Sequence, residues 1–324
     1  MVERMQAVQA MRVGGPEVLE PVELDRPTPG DGELLVEVAA TGVNFVEVYR
    51  RNGTYDAPFP HVPGTEFAGR VTAVGAGVAG FGVGDRVVTA EGRDAYARFA
   101  VVGADAAAHV PDGVDDATAA ALALQGITAH YLVTSVYPVE AGTTLLVHAG
   151  AGGVGLLLIQ LAKARGATVF TTVGSPAKRE LAQAAGADAV LAYDGFADRV
   201  RQMRGGLGLD VVFDGVGATT WEGSLAALRP RGLLALFGAA SGPVPPIDPR
   251  RLATGGSLVL TRPTMGDFLQ TPDERAWRYR ELLDAAAAGT LAVRIGATFR
   301  LAEAAAAHRA LESRSTTGKV LLAG

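Results

Sequence analysis

TTLLVHAGAGGVGLLLIQLAKARGATVFTTVG, residues 143–174, decides the fold class of this chain. A Val- and Leu-rich strand pattern leads into Gly150, Gly152 and Gly155, which fit the spacing G-x-G-x-x-G, and an apolar helix pattern then closes at Gly166. The turn requires glycine, a pyrophosphate requires backbone without Cβ, and a helix N-terminus supplies amide donors and positive potential. The stretch therefore predicts a strand, a dinucleotide-binding loop, a helix and a second strand.

The residues after this stretch continue to alternate between strand and helix patterns. AKRELAQAAG predicts a helix, and AVLAY, DVVFDGVG, LLALFG and SLVLTRP predict strands. Alternation of this kind implies a parallel sheet that is covered by helices. The predicted fold class is α/β, with a Rossmann doubly wound parallel sheet as the cofactor domain.

The flanking segments have a different character. Short Val-rich runs from MQAVQAMRV to YARFAVV predict a β-barrel-like domain, with NFVEVYRRNG as a short helix and DDATAAALALQGITAHYLVT as a pair of helices. The tail predicts helices around Glu274–Ala288 and Leu301–Glu312, followed by a last strand, KVLLAG. We predict a catalytic domain at 1–124, a cofactor domain at 125–262, and a segment at 263–324 that returns to the first domain.

The end of the second strand indicates which nicotinamide cofactor is used. A site specific for NAD carries Asp or Glu about 20 residues past the glycine loop, where it binds the ribose 2′-hydroxyl. This chain has Gly174 and Ser175 there, with Lys178 and Arg179 close behind. A missing carboxylate and a nearby cation favour a 2′-phosphate, so we predict NADPH, with Lys178 in the binding role and Arg179 as a helix surface charge.

Composition limits the remaining function classes. The chain has 324 residues, 48% of them hydrophobic, and a net charge of −5, so we expect neither nucleic acid nor an anionic membrane as a partner. No cysteine is present, which excludes disulfides, thiolate metal sites and a cysteine nucleophile. The first residues carry no secretory pattern, and the apolar stretch at 145–162 is interrupted by glycines. We therefore expect a cytoplasmic location.

Several further segments carry a family resemblance when they are taken in order and spacing. They are TGVNFVEVYRRNGTY, GTEFAGRVTAVGAGV, GDRVV, LQGITAHYL, AGAGGVG, VFDGVG, LFGAASG and LESRSTTGKV. With them the chain resembles the quinone oxidoreductases, the zinc-free, zeta-crystallin-like branch of the medium-chain dehydrogenase/reductase superfamily. The resemblance covers nearly the whole chain. It implies a partly open, GroES-like β-barrel catalytic domain beside the Rossmann domain, NADPH as cofactor, a quinone or enone substrate, and a homodimer.

The residues also predict that no metal is bound. Zinc-dependent relatives have a Cys where this chain has Asn44, and Gly-His-Glu where it has Gly64-Thr65-Glu66. A catalytic zinc needs about three protein ligands, usually Cys and His. The five histidines, at positions 61, 109, 130, 148 and 308, include no pair at ligand spacing. Without a Lewis acid, alcohol oxidation is disfavoured, whereas quinones and enones accept hydride with positioning and a hydrogen bond.

The resemblance also assigns residues to the site. Those placed at the nicotinamide and substrate end are Asn44, Tyr49, Tyr55 and Thr128, where Asn44 offers its amide as donor or acceptor and Tyr55 a phenol. Those placed on the cofactor are Ala149, Gly150, Ala151, Gly152, Gly153, Val154, Gly155, Gly174, Ser175, Lys178, Tyr193, Phe237, Gly238 and Arg314. The chain departs from close relatives at Glu47, where Asp is common, and at Gly215, where serine is common. No Ser-His-Asp constellation is apparent, and we expect His148 to pack beneath the loop.

Two alternatives to quinone reduction remain open at the level of sequence. An enoyl-thioester or alkenal reductase would use the same cofactor site, and Arg50, Arg51 and Arg262 would then supply a basic rim for the phosphates of coenzyme A. A non-catalytic NADPH-binding protein is the other alternative. The homodimer is expected to form through SLVLTRP, 257–263, because an apolar edge strand is an aggregation risk that two-fold pairing removes.

Overall fold

A computed structural model describes residues 3–324, and the chain divides into two compact units. The first unit comprises the residues up to Ile127 together with Thr271–Gly324, and the second unit is Thr128–Gln270. The boundaries thus fall at 127/128 and 270/271, and not at the predicted 124/125 and 262/263. The first of them lies within a helix, where no turn or change in composition marks it.

The strands and helices are numbered here along the chain. The strands are β1 (Arg4–Ala10), β2 (Leu19–Asp25), β3 (Glu33–Val43), β4 (Phe67–Val74), β5 (Arg86–Thr89), β6 (Phe99–Gly103), β7 (Ala108–His109), β8 (Thr144–Val147), β9 (Thr168–Thr172), β10 (Ala189–Leu191), β11 (Leu209–Asp214), β12 (Leu228–Leu236), β13 (Val259–Thr261), β14 (Ile295–Arg300) and β15 (Lys319–Ala323). The α-helices are α1 (Phe45–Arg51), α2 (Asp116–Tyr131), α3 (Gly153–Ala164), α4 (Pro176–Ala184), α5 (Phe196–Met203), α6 (Trp221–Ala227), α7 (Arg250–Thr254), α8 (Pro272–Ala287) and α9 (Ala304–Glu312). A π-helical turn, Leu132–Val136, follows α2.

The first unit is built on a mostly antiparallel sheet. Its strand order is β14-β15-β3-β4-β5-β7, with β6 also paired to β3, and only the β14–β15 pair is parallel. Val36, Phe67 and Val87 belong to the core beneath this sheet. The last segment of the chain completes the sheet, because Val320 of β15 pairs with Val43 of β3. Helix α8 attaches to the same unit through the Tyr279 hydroxyl, which accepts a 2.8 Å hydrogen bond from the backbone N–H of Ala90.

The second unit is a doubly wound parallel sheet. Its strand order is β10-β9-β8-β11-β12-β13, and every pair is parallel. Numbered from β8, this is the 3-2-1-4-5-6 order of a dinucleotide-binding sheet. Leu146, Phe170, Val212 and Leu234 from four neighbouring strands form its buried core. The predicted α/β fold class with a Rossmann domain is confirmed.

One predicted element is wrong. DDATAAALALQGITAHYLVT forms a single helix, α2, that ends in the π-helical turn, and not a pair of helices. Gly126 does not break the helix because it is a site of close packing. A Cβ at this position would lie 2.8 Å from Cδ1 of Leu122 and 3.3 Å from Cδ1 of Leu282 in α8.

The same helix is the one described segment whose length and composition would suffice to cross a membrane. The candidate span is Asp116–Val136. However, 72% of its most apolar window is buried inside the protein, which is typical of a core helix.

Candidate functional site

A group of buried polar side chains lies where β3, β4 and β15 meet in the first unit. Asn44 follows β3, Glu66 precedes β4 and Lys319 opens β15. The strand register brings them together, since Val43 pairs with Val320 and Thr41 with Phe67. With Glu47 of α1, these residues form what we call the polar cluster: Asn44, Glu47, Glu66 and Lys319, each no more than 5% exposed.

The contacts in the polar cluster fix which way the Asn44 amide points. Lys319 Nζ donates to Asn44 Oδ1 at 2.7 Å and also donates to Glu66 Oε2. Asn44 Nδ2 in turn donates to Glu66 Oε2 at 2.8 Å. Because an ammonium can only donate, the oxygen of the amide must face Lys319. The carbonyl oxygen of Asn44 is therefore already bonded, and the amide can offer a ligand only an N–H. Of the two roles expected for Asn44, donor and acceptor, this geometry favours the donor.

Gly42 is required by this arrangement. A Cβ at Gly42 would lie 1.7 Å from Glu66 Oε2 and 2.6 Å from Lys319 Nζ. No side chain fits there without displacing the ion pair. The glycine in TGVNF is thus explained by the close approach of Glu66 and Lys319 to β3, and not by a turn.

Glu47 is a buried carboxyl with one oxygen bonded and one not. Its Oε2 accepts a 2.9 Å hydrogen bond from the backbone N–H of Asn44, which caps α1, whereas its Oε1 is buried without a partner. Burial raises the pKa of Glu47 to about 7; the charge of Lys319 opposes the rise and that of Glu66 adds to it. Below that pH the cluster holds one ion pair, Glu66 with Lys319, and one neutral acid.

This carboxyl should make stability fall as pH rises. In the native state Glu47 keeps its proton up to about pH 7, whereas in the unfolded chain it releases the proton near pH 4.5. Between pH 4.5 and 7 the native state therefore binds more protons than the unfolded state, and its stability falls as pH rises. The whole window corresponds to roughly 3 kcal/mol. We expect Glu47→Gln to be more stable than the parent at pH 8, with the difference shrinking towards pH 4.5. Urea unfolding at several pH values measures it.

A control isolates the effect of burial. Glu20→Gln makes the same chemical change at an exposed position of β2 and should leave the pH dependence of the parent in place. If Glu47→Gln follows the parent at every pH, the buried neutral carboxyl is not present in solution.

The predicted aromatic residues form a small group beside α1. The rings of Tyr49 and Tyr55 lie 5.2 Å apart, edge to face, and those of Phe45 and Tyr49 lie 5.9 Å apart. The backbone N–H of Tyr55 donates to the carbonyl of Tyr49 at 2.9 Å, which holds the loop against the helix. Tyr55 is 41% exposed, so a flat ligand can reach it. Thr128, in contrast, is buried in α2 and belongs to the second unit.

The glycine loop of the second unit joins β8 to the start of α3. Gly152 precedes α3 and places no side chain on the first helical amides. A Cβ at Gly150 would lie 2.0 Å from Thr171 Oγ1, and one at Gly155 would lie 2.3 Å from the carbonyl oxygen of Ala149. Gly150 thus packs against β9, and Gly155 packs against the backbone at the start of the same loop, so glycine is needed at both positions. The bare helix start fits a pyrophosphate.

The residues predicted around the adenosine lie beside this loop. Gly174 and Ser175 follow β9 and Tyr193 follows β10, the two strands next to β8 in order, so all lie at the carboxyl edge of the sheet. Ser175 also caps α4, since its Oγ accepts from the backbone N–H of Lys178 at 3.4 Å. Partial burial lowers the pKa of the Lys178 ammonium.

Three other predicted cofactor residues have distinct surroundings. Phe237 and Gly238 follow β12, at the same edge of the sheet as the glycine loop. The backbone N–H of Phe237 donates to the carbonyl of Asp214 at 2.9 Å. Arg314 belongs to the first unit, where it is exposed after α9 with a φ of 58°.

His148, directly before the glycine loop, is buried and belongs to a constellation that the sequence did not reveal. His148 Nε2 lies 3.0 Å from Ser224 Oγ, and Ser224 donates to Asp214 Oδ2 at 2.8 Å. The other ring nitrogen lies 2.8 Å from Thr172 Oγ1. Burial lowers the pKa of His148 to about 4, so the ring is neutral. Ser224 is fully buried and donates to the aspartate, so this group ties β8, β9 and α6 together and is not a nucleophilic triad.

Two family models and several known proteins match this chain. Residues 30–139 match the alcohol dehydrogenase GroES-like domain, and residues 153–284 match a domain described as zinc-binding dehydrogenase. The quinone oxidoreductase of Pseudomonas aeruginosa is 43% identical, over 97% of this chain and 98% of its own. This chain belongs to the quinone oxidoreductase family.

Solved structures and a further relative extend the family comparison. Mycobacterial Rv1454c complexed with NADPH is 50% identical, with a TM-score of 0.97 over 99% of this chain and all of its own. The 2-haloacrylate reductase of a Burkholderia species is 38% identical, over 95% of this chain and 96% of its own. The family therefore includes reductases with different substrates on one fold.

The donor set around Asn44 does not fit a catalytic zinc. The position that carries Cys in zinc-dependent relatives is an amide here, and its carbonyl oxygen is bonded to an ammonium, which would repel a metal cation. Within residues 3–324, no three His, Asp or Glu side chains lie together as a possible metal site. The zinc-binding description of the matched cofactor domain is a family name and assigns no ligand to this oxidoreductase.

The structure gives a physical reason for the glycine at position 215. A Cβ at Gly215 would lie 2.8 Å from the ring of Phe237, so a serine in this protein would require that ring to move.

Arg51, one of the arginines considered for a basic rim, is held in an ion pair. Arg51 is 1% exposed and donates to both carboxylate oxygens of Glu312, at 2.8 and 3.0 Å. Its NH1 also contacts Nδ1 of His308 at 3.0 Å. Arg51 fastens α1 to α9 and does not contribute to a basic rim for a thioester.

Proposed function

We propose that this protein is an NADPH-dependent quinone reductase that transfers hydride without a metal. The observation that carries the proposal is the Asn44 amide, which Lys319 and Glu66 hold as a donor at the position of a zinc ligand. A quinone is already electrophilic, so a positioned hydrogen bond is sufficient assistance. The names of the full-length relatives support the same activity.

The second unit would hold the cofactor. Backbone amides of the loop from Ala149 to Gly155 and the start of α3 would bind the pyrophosphate. Ser175, Lys178 and Tyr193 would surround the 2′-phosphate. When bound, NADPH supplies the hydride. By family resemblance we further assign Phe237 and Gly238 of this unit to the cofactor, together with Arg314, which belongs to the first unit.

The first unit would hold the quinone. Asn44 would donate a hydrogen bond to one quinone oxygen, and Tyr55, with its exposed ring against Tyr49, would offer a flat apolar contact and a phenol. Thr128 is assigned to the nicotinamide end by resemblance. These residues would orient the quinone and stabilise the negative charge that develops on its oxygen as hydride arrives.

Reduction of an activated carbon–carbon double bond is the second candidate function. The similarity to 2-haloacrylate reductase favours it, since such a substrate also needs charge stabilisation at a carbonyl oxygen. A coenzyme A ester has less support. Of the three arginines considered for a basic rim, Arg51 is buried in an ion pair and Arg262 donates to the carbonyl of Leu236 at 3.0 Å, which leaves Arg50. A non-catalytic role would not account for the buried hydrogen bonds that hold Asn44 as a donor.

Rates of NADPH oxidation with a substrate panel test the proposal. The panel comprises ortho-quinones, para-quinones, linear enones and crotonyl-CoA. Turnover should be fastest with quinones. Faster turnover with enones than with any quinone would replace the proposed activity with double-bond reduction, and no turnover with either would leave only cofactor binding.

Two substitutions test the substrate residues. Asn44→Ala and Tyr55→Phe should each lower kcat several-fold while cofactor affinity stays near that of the parent, since one neutral hydrogen bond made in the transition state contributes about 1 kcal/mol. Steady-state kinetics with several quinones and cofactor titration measure the two quantities. Unchanged kcat in both variants would show that the quinone binds elsewhere.

We also propose a cytoplasmic homodimer. Strand β13 is the last in the order of the parallel sheet, and Val259 on it is 48% exposed. Pairing of two such edges across a two-fold axis would cover an apolar strand. Sedimentation at micromolar concentration tests this, and a monomer there would contradict it.

A further inference from the structure

We infer that Lys319 and Glu66 are positioning residues for catalysis, and that the positive charge of Lys319 acts on the substrate through the amide of Asn44. The inference rests on the proposed quinone reduction and concerns how the protein stabilises charge during that reaction. Its geometric basis is that the Lys319 ammonium bonds to the oxygen of the Asn44 amide, while the Glu66 carboxylate bonds to the nitrogen of the same amide.

Both charged groups of the ion pair are buried and hydrogen-bonded, yet stability alone does not explain the pair. Glu66 and Lys319 are at most 1% exposed. Glu66 Oε1 accepts from the backbone N–H of Leu124 at 2.6 Å, and its Oε2 accepts from both Asn44 and Lys319. Removing two charges from water is costly, and apolar side chains of similar size often stabilise a fold equally well. The ion pair therefore indicates a role that apolar residues could not fill, and that role is to orient Asn44.

The arrangement also strengthens Asn44 as a donor. A charge 2.7 Å from Oδ1 draws electron density toward the amide oxygen and leaves the Nδ2 hydrogens more positive. One of these hydrogens bonds to Glu66. In the proposed reaction the second hydrogen would bond to the substrate oxygen. Hydrogen bonds polarised in this way are strongest where water is excluded, and Asn44 is only 5% exposed.

The chemistry needs such a donor. Overall, the quinone takes up a hydride and one proton and becomes the hydroquinone, with the proton drawn from solvent. Until that proton arrives, negative charge resides on the quinone oxygen. A donor polarised by Lys319 stabilises this charge more than it stabilises the neutral quinone, which is the condition for a gain in rate.

Two variants separate this role from a structural one. Glu66→Gln with Lys319→Met removes both charges together, so no unpaired charge stays buried. Gly42→Ala removes no polar group, but its new Cβ displaces Glu66 and Lys319. Gly82→Ala is the matched control, because a Cβ there meets nothing nearer than 4.0 Å. Thermal unfolding confirms that each variant is folded before kinetics are compared.

The deciding readout is a series of quinones of decreasing reduction potential. Electron-rich quinones need the most charge stabilisation, so the double variant should lose about 10- to 100-fold in kcat with them and only a few-fold with the most electrophilic quinone. Gly42→Ala should show the same trend, and Gly82→Ala should match the parent. An equal loss across the series, or none, overturns the inference. A parent that reduces no quinone overturns the proposed function instead.

A binding measurement tests the same point without turnover. 4-Nitrophenol, whose absorbance distinguishes phenol from phenolate, mimics the charged oxygen when titrated against the protein with saturating NADP⁺. The parent should bind the phenolate in preference, which lowers the apparent pKa of bound nitrophenol, and the double variant should lose this preference. No preference in the parent, or the same preference in the variant, contradicts the role of Lys319.

Discussion

Replacing Lys178 by alanine should weaken NADPH binding by about 10- to 100-fold and leave NADH binding nearly unchanged. A charge-assisted hydrogen bond contributes about 1.5–3 kcal/mol, and each 1.4 kcal/mol corresponds to a tenfold change in affinity. Strand β9 of the parallel sheet ends at Thr172 and is followed by Gly174 and Ser175, so no carboxylate repels a 2′-phosphate there. Fluorescence titration of both cofactors into parent and variant measures the effect.

Arg179 provides the matched control for Lys178. It is the next residue in α4, but its guanidinium donates to the backbone carbonyl of Val190. Arg179→Ala removes the same charge one residue away and should preserve the preference for NADPH. The preference should also shrink as salt rises, because Lys178 is only partly buried. Equal weakening of NADPH and NADH by Lys178→Ala would mean that Lys178 does not recognise the phosphate.

Alanine at Gly155 should have an even larger effect, a loss of at least about 100-fold in affinity for both cofactors. The new Cβ would lie 2.3 Å from the carbonyl oxygen of Ala149 and 2.9 Å from Cα of Gly150, both backbone atoms that cannot rotate away. The loop must then shift, and a shift that costs about 3 kcal/mol of binding free energy corresponds to that loss. Isothermal titration with NADPH and NADH measures it.

Gly266→Ala separates this effect from general damage to the second unit. No protein atom lies within 4 Å of a Cβ at Gly266, so this variant should bind both cofactors as the parent does. Near-parent affinity in Gly155→Ala would show that the pyrophosphate does not rest against the loop.

The second unit could be predicted well from sequence because its signals are local. Each strand of the parallel sheet is a short apolar run, and the glycine spacing lies within six residues, from Gly150 to Gly155. Segments with weak signals were predicted poorly. IGATFR forms β14, but Gly296 and Ala297, which have low strand propensity, weaken its signal in the sequence. In α2, Gly126 suggests a break between two helices, but the helix continues through it.

The contacts of the polar cluster could not be predicted, because they join separate parts of the chain. Asn44, Glu66 and Lys319 lie in three of the segments that carry the family resemblance. However, Lys319 is 275 residues from Asn44 and 253 from Glu66, and nothing in these segments indicates that the side chains meet. The same holds for His148, Ser224 and Asp214, where His148 and Ser224 are 76 residues apart. One local sign was available. Gly42 stands inside a strand, and glycine in a strand interior often marks the close approach of another group.

The central claim is that this protein reduces quinones with NADPH and without a metal. The most direct measurement is the rate of NADPH oxidation with a para-quinone after exhaustive chelation, together with elemental analysis of the same sample. Asn44 bonds to an ammonium where a zinc ligand would stand, so full activity should remain with less than about 0.1 metal ion per chain, far below the one ion that a catalytic site requires. Stoichiometric zinc, with activity lost on its removal and restored on its return, would contradict this account.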